Sequence, residues 1–89
     1  MPYLMVRQRV IDYDKWYAVF EAHAEAQRES GLVDLQLMRD VSDPNTIVCF
    51  FRVEDIARAR DFTRSPEADS AKDKSGVIGT PEVLWLDEI

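Results

Sequence analysis

The chain has 89 residues, 46% of them hydrophobic, with 11 basic and 17 acidic side chains and a formal net charge of -6. That length makes one domain, residues 1–89. The acidic surplus repels phosphate backbones, which excludes nucleic acid as an expected partner, and no basic cluster suits an anionic membrane.

Tyr3–Val10 alternates as a first strand, with Tyr3, Met5, Arg7 and Arg9 to one side and Leu4, Val6, Gln8 and Val10 to the other. The run Leu4–Val6 is broken by Arg7 and Arg9 before a leader-like apolar stretch forms, so no signal peptide is expected. No window approaches the length of a membrane span. The stretch Asp14–Gly31 reads as one amphipathic helix. Asp14 is its expected N-cap, and Trp16, Val19, Phe20, His23 and Gln27 recur at helical spacing. Gly31 is the expected stop, since it adopts the left-handed conformation without steric cost.

Leu32–Arg39 is the second strand. Ser42-Asp43-Pro44-Asn45 has turn chemistry, and Thr46–Val53 is a third strand, apolar on both faces. So short a connection makes the pair an antiparallel hairpin. Glu54–Arg64 is a second helix. Ser65-Pro66 restarts the chain as a short helix over Pro66–Lys74, with Ser65 as cap and proline at the first helical position. Only Ala68 and Ala71 offer it an apolar contact, so it should be the least stable part of the fold. Gly76, Gly79 and Pro81 mark a loop, and Glu82–Ile89 is the last strand.

The order β-α-β-β-α-β, with right-handed crossovers, specifies an α+β ferredoxin-like fold. Four antiparallel strands form one sheet with both helices on one face. Met5, Val48, Phe50, Val83, Leu84, Trp85 and Leu86 divide between the two faces, so the uncovered face is itself apolar. A soluble monomer does not expose an apolar sheet face of several hundred Å2. A second copy packed sheet on sheet would bury it, and a two-fold homodimer is expected.

Val10-Ile11-Asp12-Tyr13-Asp14-Lys15-Trp16, then Phe20 and His23, then Arg39, Asp43-Pro44-Asn45, Gly76-Val77 and Pro81 resemble a set of small bacterial proteins in the dimeric α/β-barrel superfamily. The resemblance runs over essentially the whole chain. That superfamily includes antibiotic-biosynthesis monooxygenases, muconolactone isomerase-like enzymes, polyketide cyclases and stress-responsive proteins. The resemblance implies a dimer of ferredoxin-like units with a pocket between helices and sheet in each subunit. In the monooxygenase members it implies oxidation of polycyclic phenols with no metal and no flavin, the substrate anion itself activating oxygen. The asparagine–tryptophan pair of the catalytic monooxygenases has no match here, because Asn45 is the only asparagine and lies in the hairpin.

Among the residues themselves, His23 is the candidate base: an imidazole on an apolar helix face suits proton abstraction in a pocket. The competing role is packing, with a hydrogen bond to a strand carbonyl or carboxylate. A lone histidine without ligand spacing is no metal site, and no cofactor is expected. Trp16, Phe20, Phe50, Phe62 and Trp85 are candidate walls for a planar aromatic ligand, or simply core. Arg39, with Arg7, Arg9 and Arg52, would hold a carboxylate or enolate if turned inward, and would otherwise form ion pairs. Cys49, between Val48 and Phe50, reads as a small buried hydrophobe, and as the only cysteine it fits a reducing compartment. The expectation is a cytoplasmic homodimer. It is either a cofactor-independent monooxygenase- or cyclase-like enzyme for a small aromatic or polyketide-like compound, or a non-catalytic ligand-binding or stress-responsive protein.

Overall fold

The computed structural model describes residues 2–89. Strand alternation places β1 (Tyr3–Val10) at the inside of the sheet, between β3 (Asp43–Val53) and β4 (Val77–Leu86), with β2 (Leu32–Asp40) outside β3. All three pairings are antiparallel and the order is β2-β3-β1-β4, the ferredoxin-like arrangement. Four helices, α1 (Tyr13–Ala22), α2 (Ala24–Glu29), α3 (Ile56–Thr63) and α4 (Pro66–Ser75), fill the two crossovers. Leu4 and Val10 of β1 and Ile47, Cys49, Phe51 and Val53 of β3 are buried on the helix side with Trp16 and Ala59. Period-two alternation sends Tyr3, Met5, Arg7, Val48, Phe50 and Arg52 to the open side.

The single helix expected over Asp14–Gly31 is two. The break falls at His23, whose backbone sits at φ -103, ψ 4. Its ring Nδ1 lies 3.0 Å from the Val19 carbonyl, the oxygen that its own amide would take in a regular helix. The amide instead donates to the Phe20 carbonyl at 3.1 Å. The side chain has displaced the backbone from its ladder position, which tightens the turn. The N-cap is Asp12 rather than Asp14, its carboxylate accepting from the Asp14 amide at 3.0 Å. Gly31 ends the segment at φ +92, as its residue type predicts. A β-carbon there would stand 3.0 Å from the Asp55 amide nitrogen, because the chain passes close against the start of α3. Arg58 of α3 closes that junction by donating to the Glu29 carbonyl at 2.6 Å.

The hairpin turn lies earlier than its composition suggested. Asp40 pairs with Asp43, so Val41 and Ser42 form the tip, and Pro44 and Asn45 belong to β3. The Asp40 carboxylate accepts from the Ser42 amide at 2.7 Å, a local bond that sets the reversal. The last strand also starts earlier. Val77–Leu86 pairs with β1, and Gly79 and Pro81 lie within it rather than in a loop. Arg7 faces Glu82 and Arg9 faces Ile78, so Gly79, Thr80 and Pro81 stand opposite the single residue Gln8. This bulge absorbs a proline that could not donate to the ladder and a glycine at φ +70. Ser65 caps α4 as expected, accepting from the Ala68 amide at 3.2 Å.

The open face carries one apolar row across three strands, Phe50–Met5–Leu84, continued by Val48, Leu86 and Met38. Val83 and Trp85 lie on the helix side. Arg7, Arg9 and Arg52 share the open face, so it is an apolar band edged by cations rather than uniformly apolar. Arg52 Nε is 2.7 Å from Asp34 Oδ2, off the line of a good hydrogen bond, and Arg9 Nε is 3.8 Å from Asp43 Oδ2.

Candidate functional site

Between the helices and the sheet lies a cavity of about 440 Å3, open to solvent on one side. Its floor is the helix-side row of β1 and β3, including Leu4, Val6, Gln8, Cys49 and Phe51. Helical spacing places Trp16, Val19, Phe20 and His23 along one wall, and the Trp16 and Phe20 rings stack at 4.7 Å between centroids. Phe62 of α3 and Trp85 of β4 close the far side, and the Arg60 guanidinium lies 5.4 Å from the centre of the Trp85 ring. Ala68, Ala71, Lys72 and Ser75 form the α4 wall, so the small residues that make α4 a poor packer leave the space unfilled.

His23, Trp16, Phe20, Phe62 and Trp85 are therefore brought together around one space. Arg39 and Phe50 are not. Phe50 belongs to the opposite face of the sheet, where it stacks on Tyr3 at 5.4 Å. Arg39 is on the helix side but at the edge strand, its guanidinium carbon 3.7 Å from the centre of the Tyr13 ring. Strand parity explains Phe50, which is one residue out of phase with the buried Cys49 and Phe51, while Arg39 is held on Tyr13 at the start of α1, away from the cavity lining. Neither of the other strand arginines that form ion pairs, Arg9 and Arg52, turns inward.

The Val19 carbonyl only accepts, so its bond to His23 requires the proton on Nδ1. The neutral ring then carries its lone pair on Nε2, the atom a base would use. Cys49 sits in the floor with its thiol pushed up to about 12 by burial, which leaves it protonated and unreactive. Gln8 donates from Nε2 to Cys49 Sγ at 3.8 Å. The sequence signal for Gln8 was present: it is the one polar residue in the row Leu4, Val6, Gln8, Val10. Among the described residues no group of three or more His, Cys, Asp or Glu could hold a metal ion, and no helix is long and apolar enough to cross a membrane.

No family model matches the chain. In sequence it is 34% identical over 87 residues to the flagellar transcriptional regulator FlhD of Edwardsiella ictaluri, across 94% of this chain and 76% of that protein. In structure it is similar to an antibiotic biosynthesis monooxygenase, with a TM-score of 0.73 and 14% identity over 100% of this chain and 99% of that one. It is also similar to SnoaB, a cofactor-independent oxygenase from Streptomyces nogalater, at 0.75 and 18% over 98% and 91% of the two chains. A conserved protein from Methanosarcina mazei superposes at 0.78 and 10% identity over 99% and 92%. The sequence likeness and the structural likeness point to different kinds of protein. The structural likenesses, all at or below 18% identity, show a shared fold, and a shared fold alone carries no activity.

Proposed function

We propose that the chain, whose fold is shared with antibiotic biosynthesis monooxygenases, binds a small aromatic or polyketide-like compound between its helices and sheet and acts on it as a cofactor-independent monooxygenase or cyclase. The observation that carries this reading is the solvent-open cavity of about 440 Å3, walled by aromatic rings, with His23 in its lining. In the neutral ring His23 Nε2 takes a proton from a phenol, or from a carbon beside a carbonyl, and the Nδ1–H stays on Val19. The resulting substrate anion then reacts with molecular oxygen in a monooxygenase, or with a carbonyl carbon of its own chain in a cyclase. Trp16, Phe20, Phe62 and Trp85 hold the ring system, and no protein nucleophile is needed.

The working form is a cytoplasmic homodimer joined through the open sheet faces. Support comes from the apolar band Phe50–Met5–Leu84 and from the lone thiol, which suits a reducing compartment. His23→Ala tests the chemistry. Oxygen uptake or product formation with a panel of hydroxynaphthalenes should vanish while the protein stays folded; unchanged turnover ends the proposal.

A second reading is a non-catalytic dimer that carries a small apolar ligand or serves a stress response. The sequence likeness to a regulator favours it, since regulation needs no turnover. The net charge of -6 argues against direct contact with nucleic acid in that role. Native mass spectrometry of freshly purified protein separates the two. A bound aromatic that is altered on adding oxygen supports the enzyme, and one that survives unchanged supports the carrier.

A further inference from the structure

Most hydroxyl and imidazole donors around the cavity are already committed to their own helices. The Ser75 hydroxyl donates to the Lys72 carbonyl at 2.8 Å, the Thr63 hydroxyl to the Arg60 carbonyl at 2.9 Å, and His23 Nδ1 to the Val19 carbonyl at 3.0 Å. Gln8 differs. It is a half-buried amide on the floor, and its Nε2 rests on a thiol sulfur at 3.8 Å, a weak acceptor held in its neutral form. Its position in the sheet is equally unusual. Gln8 is the β1 residue that faces the bulge Gly79-Thr80-Pro81, and Thr80 and Pro81 also line the cavity. Bulges are over-represented beside active sites, as at sheet edges, and they re-aim the side chains around them.

We propose that Gln8 is the specificity-determining residue of the cavity. Its amide N–H leaves Cys49 Sγ and donates to a carbonyl or phenolate oxygen of a planar ligand lying between the Trp16–Phe20 wall and Trp85. This rests on the ligand-binding reading above and narrows it: the ligand is an oxygenated ring system, with its oxygen toward the sheet and its ring between the aromatic walls. Exchanging a weak bond to sulfur for a full amide–oxygen bond favours the ketone over the parent hydrocarbon, whereas an unpaired ketone in the same place is penalised.

The test compares 1-tetralone with tetralin, the same two-ring frame with and without a carbonyl, by calorimetric titration of the wild-type chain and Gln8→Leu. Losing one neutral hydrogen bond should shift the ketone-to-hydrocarbon affinity ratio about fivefold to tenfold against the ketone. Tetralin affinity itself should hold within about twofold. Should Gln8→Leu fail to fold, Gln8→Met, which keeps an unbranched side chain of similar length, gives the same readout. An unchanged ratio overturns the role of Gln8 and leaves the cavity reading standing. Failure of both compounds to bind the wild-type chain overturns both.

Discussion

Replacing Met5 with aspartate should dissolve the proposed dimer. Met5 is half-buried in one chain and lies at the middle of the open face, facing Phe50 on one side and Leu84 on the other. Four strands about 4.8 Å apart, each with roughly seven paired residues rising about 3.4 Å, make a face of roughly 450 Å2 in projection. Two such faces together bury on the order of 1,000 Å2, near the lower bound for a specific interface, so the central row must carry much of the affinity. An unpaired carboxylate buried there would cost about 3 kcal/mol or more. Arg7, two residues along on the same face, offsets part of it, and we take about 2 kcal/mol per copy. Two-fold symmetry places the change on both sides, giving about 4 kcal/mol and roughly a thousandfold weaker dimer. Sedimentation equilibrium at micromolar concentration reads this directly, with circular dichroism confirming that the chain stays folded. A wild-type mass of one subunit, or a Met5→Asp dimer of unchanged affinity, refutes the reasoning.

Gly31→Ala should destabilise more than Gly76→Ala. Both glycines have positive φ, but a β-carbon at Gly31 meets the Asp55 amide nitrogen at 3.0 Å, whereas at Gly76 it meets Ile11 at an ordinary 3.8 Å. Strain alone should cost Gly76→Ala about 1 kcal/mol in urea titration, and equal costs for the two would contradict the packing at Gly31. Trp16→Ala removes a side chain only 3% exposed and should cost about 3–5 kcal/mol by the same measurement. Stability should fall as pH rises above about 8.5, since the unfolded thiol ionises there while Cys49 in the fold holds its proton up to about 12. Cys49→Ala should flatten that alkaline slope, and an unchanged slope would assign it to another group. Asp12→Ala should cost about 1 kcal/mol by removing the cap of α1, whereas Asp14→Ala should cost less.

Strand pattern made the sheet legible. Tyr3–Val10 alternates cleanly because one side meets helices, and its bounds match those expected. The hairpin misled because Asp43, Pro44 and Asn45 each carry turn chemistry, yet Asp43 spends its carboxylate on the Asn45 amide and the Thr46 hydroxyl while its backbone pairs with Asp40. Local propensity named the residues that favour a turn, and sheet register chose which of them took it. Gly79 and Pro81 misled in the same way, since a bulge lets a strand keep residues that a regular ladder rejects. For the candidate site, helical spacing put Trp16, Phe20 and His23 on one face, and the fold lines one cavity with them, while Phe50 depended on strand phase and Arg39 on its stacking against Tyr13. Gln8 was visible only as a break in an apolar row, a signal that gains meaning once the facing strand is known to bulge.

The kink in the first crossover and the candidate base have one cause. Had His23 been leucine, its amide would take the Val19 carbonyl and the helix would run on unbroken. The imidazole takes that carbonyl instead, which tightens the turn, holds Nδ1 protonated and leaves the lone pair on Nε2. Helix geometry and proton placement are thereby coupled. His23→Ala should both remove the proposed base and return the amide to Val19, whereas a packing histidine would be replaceable by leucine with no change beyond helix continuity. Loss of turnover in His23→Leu with a retained fold would therefore separate chemistry from packing at this position more sharply than alanine alone.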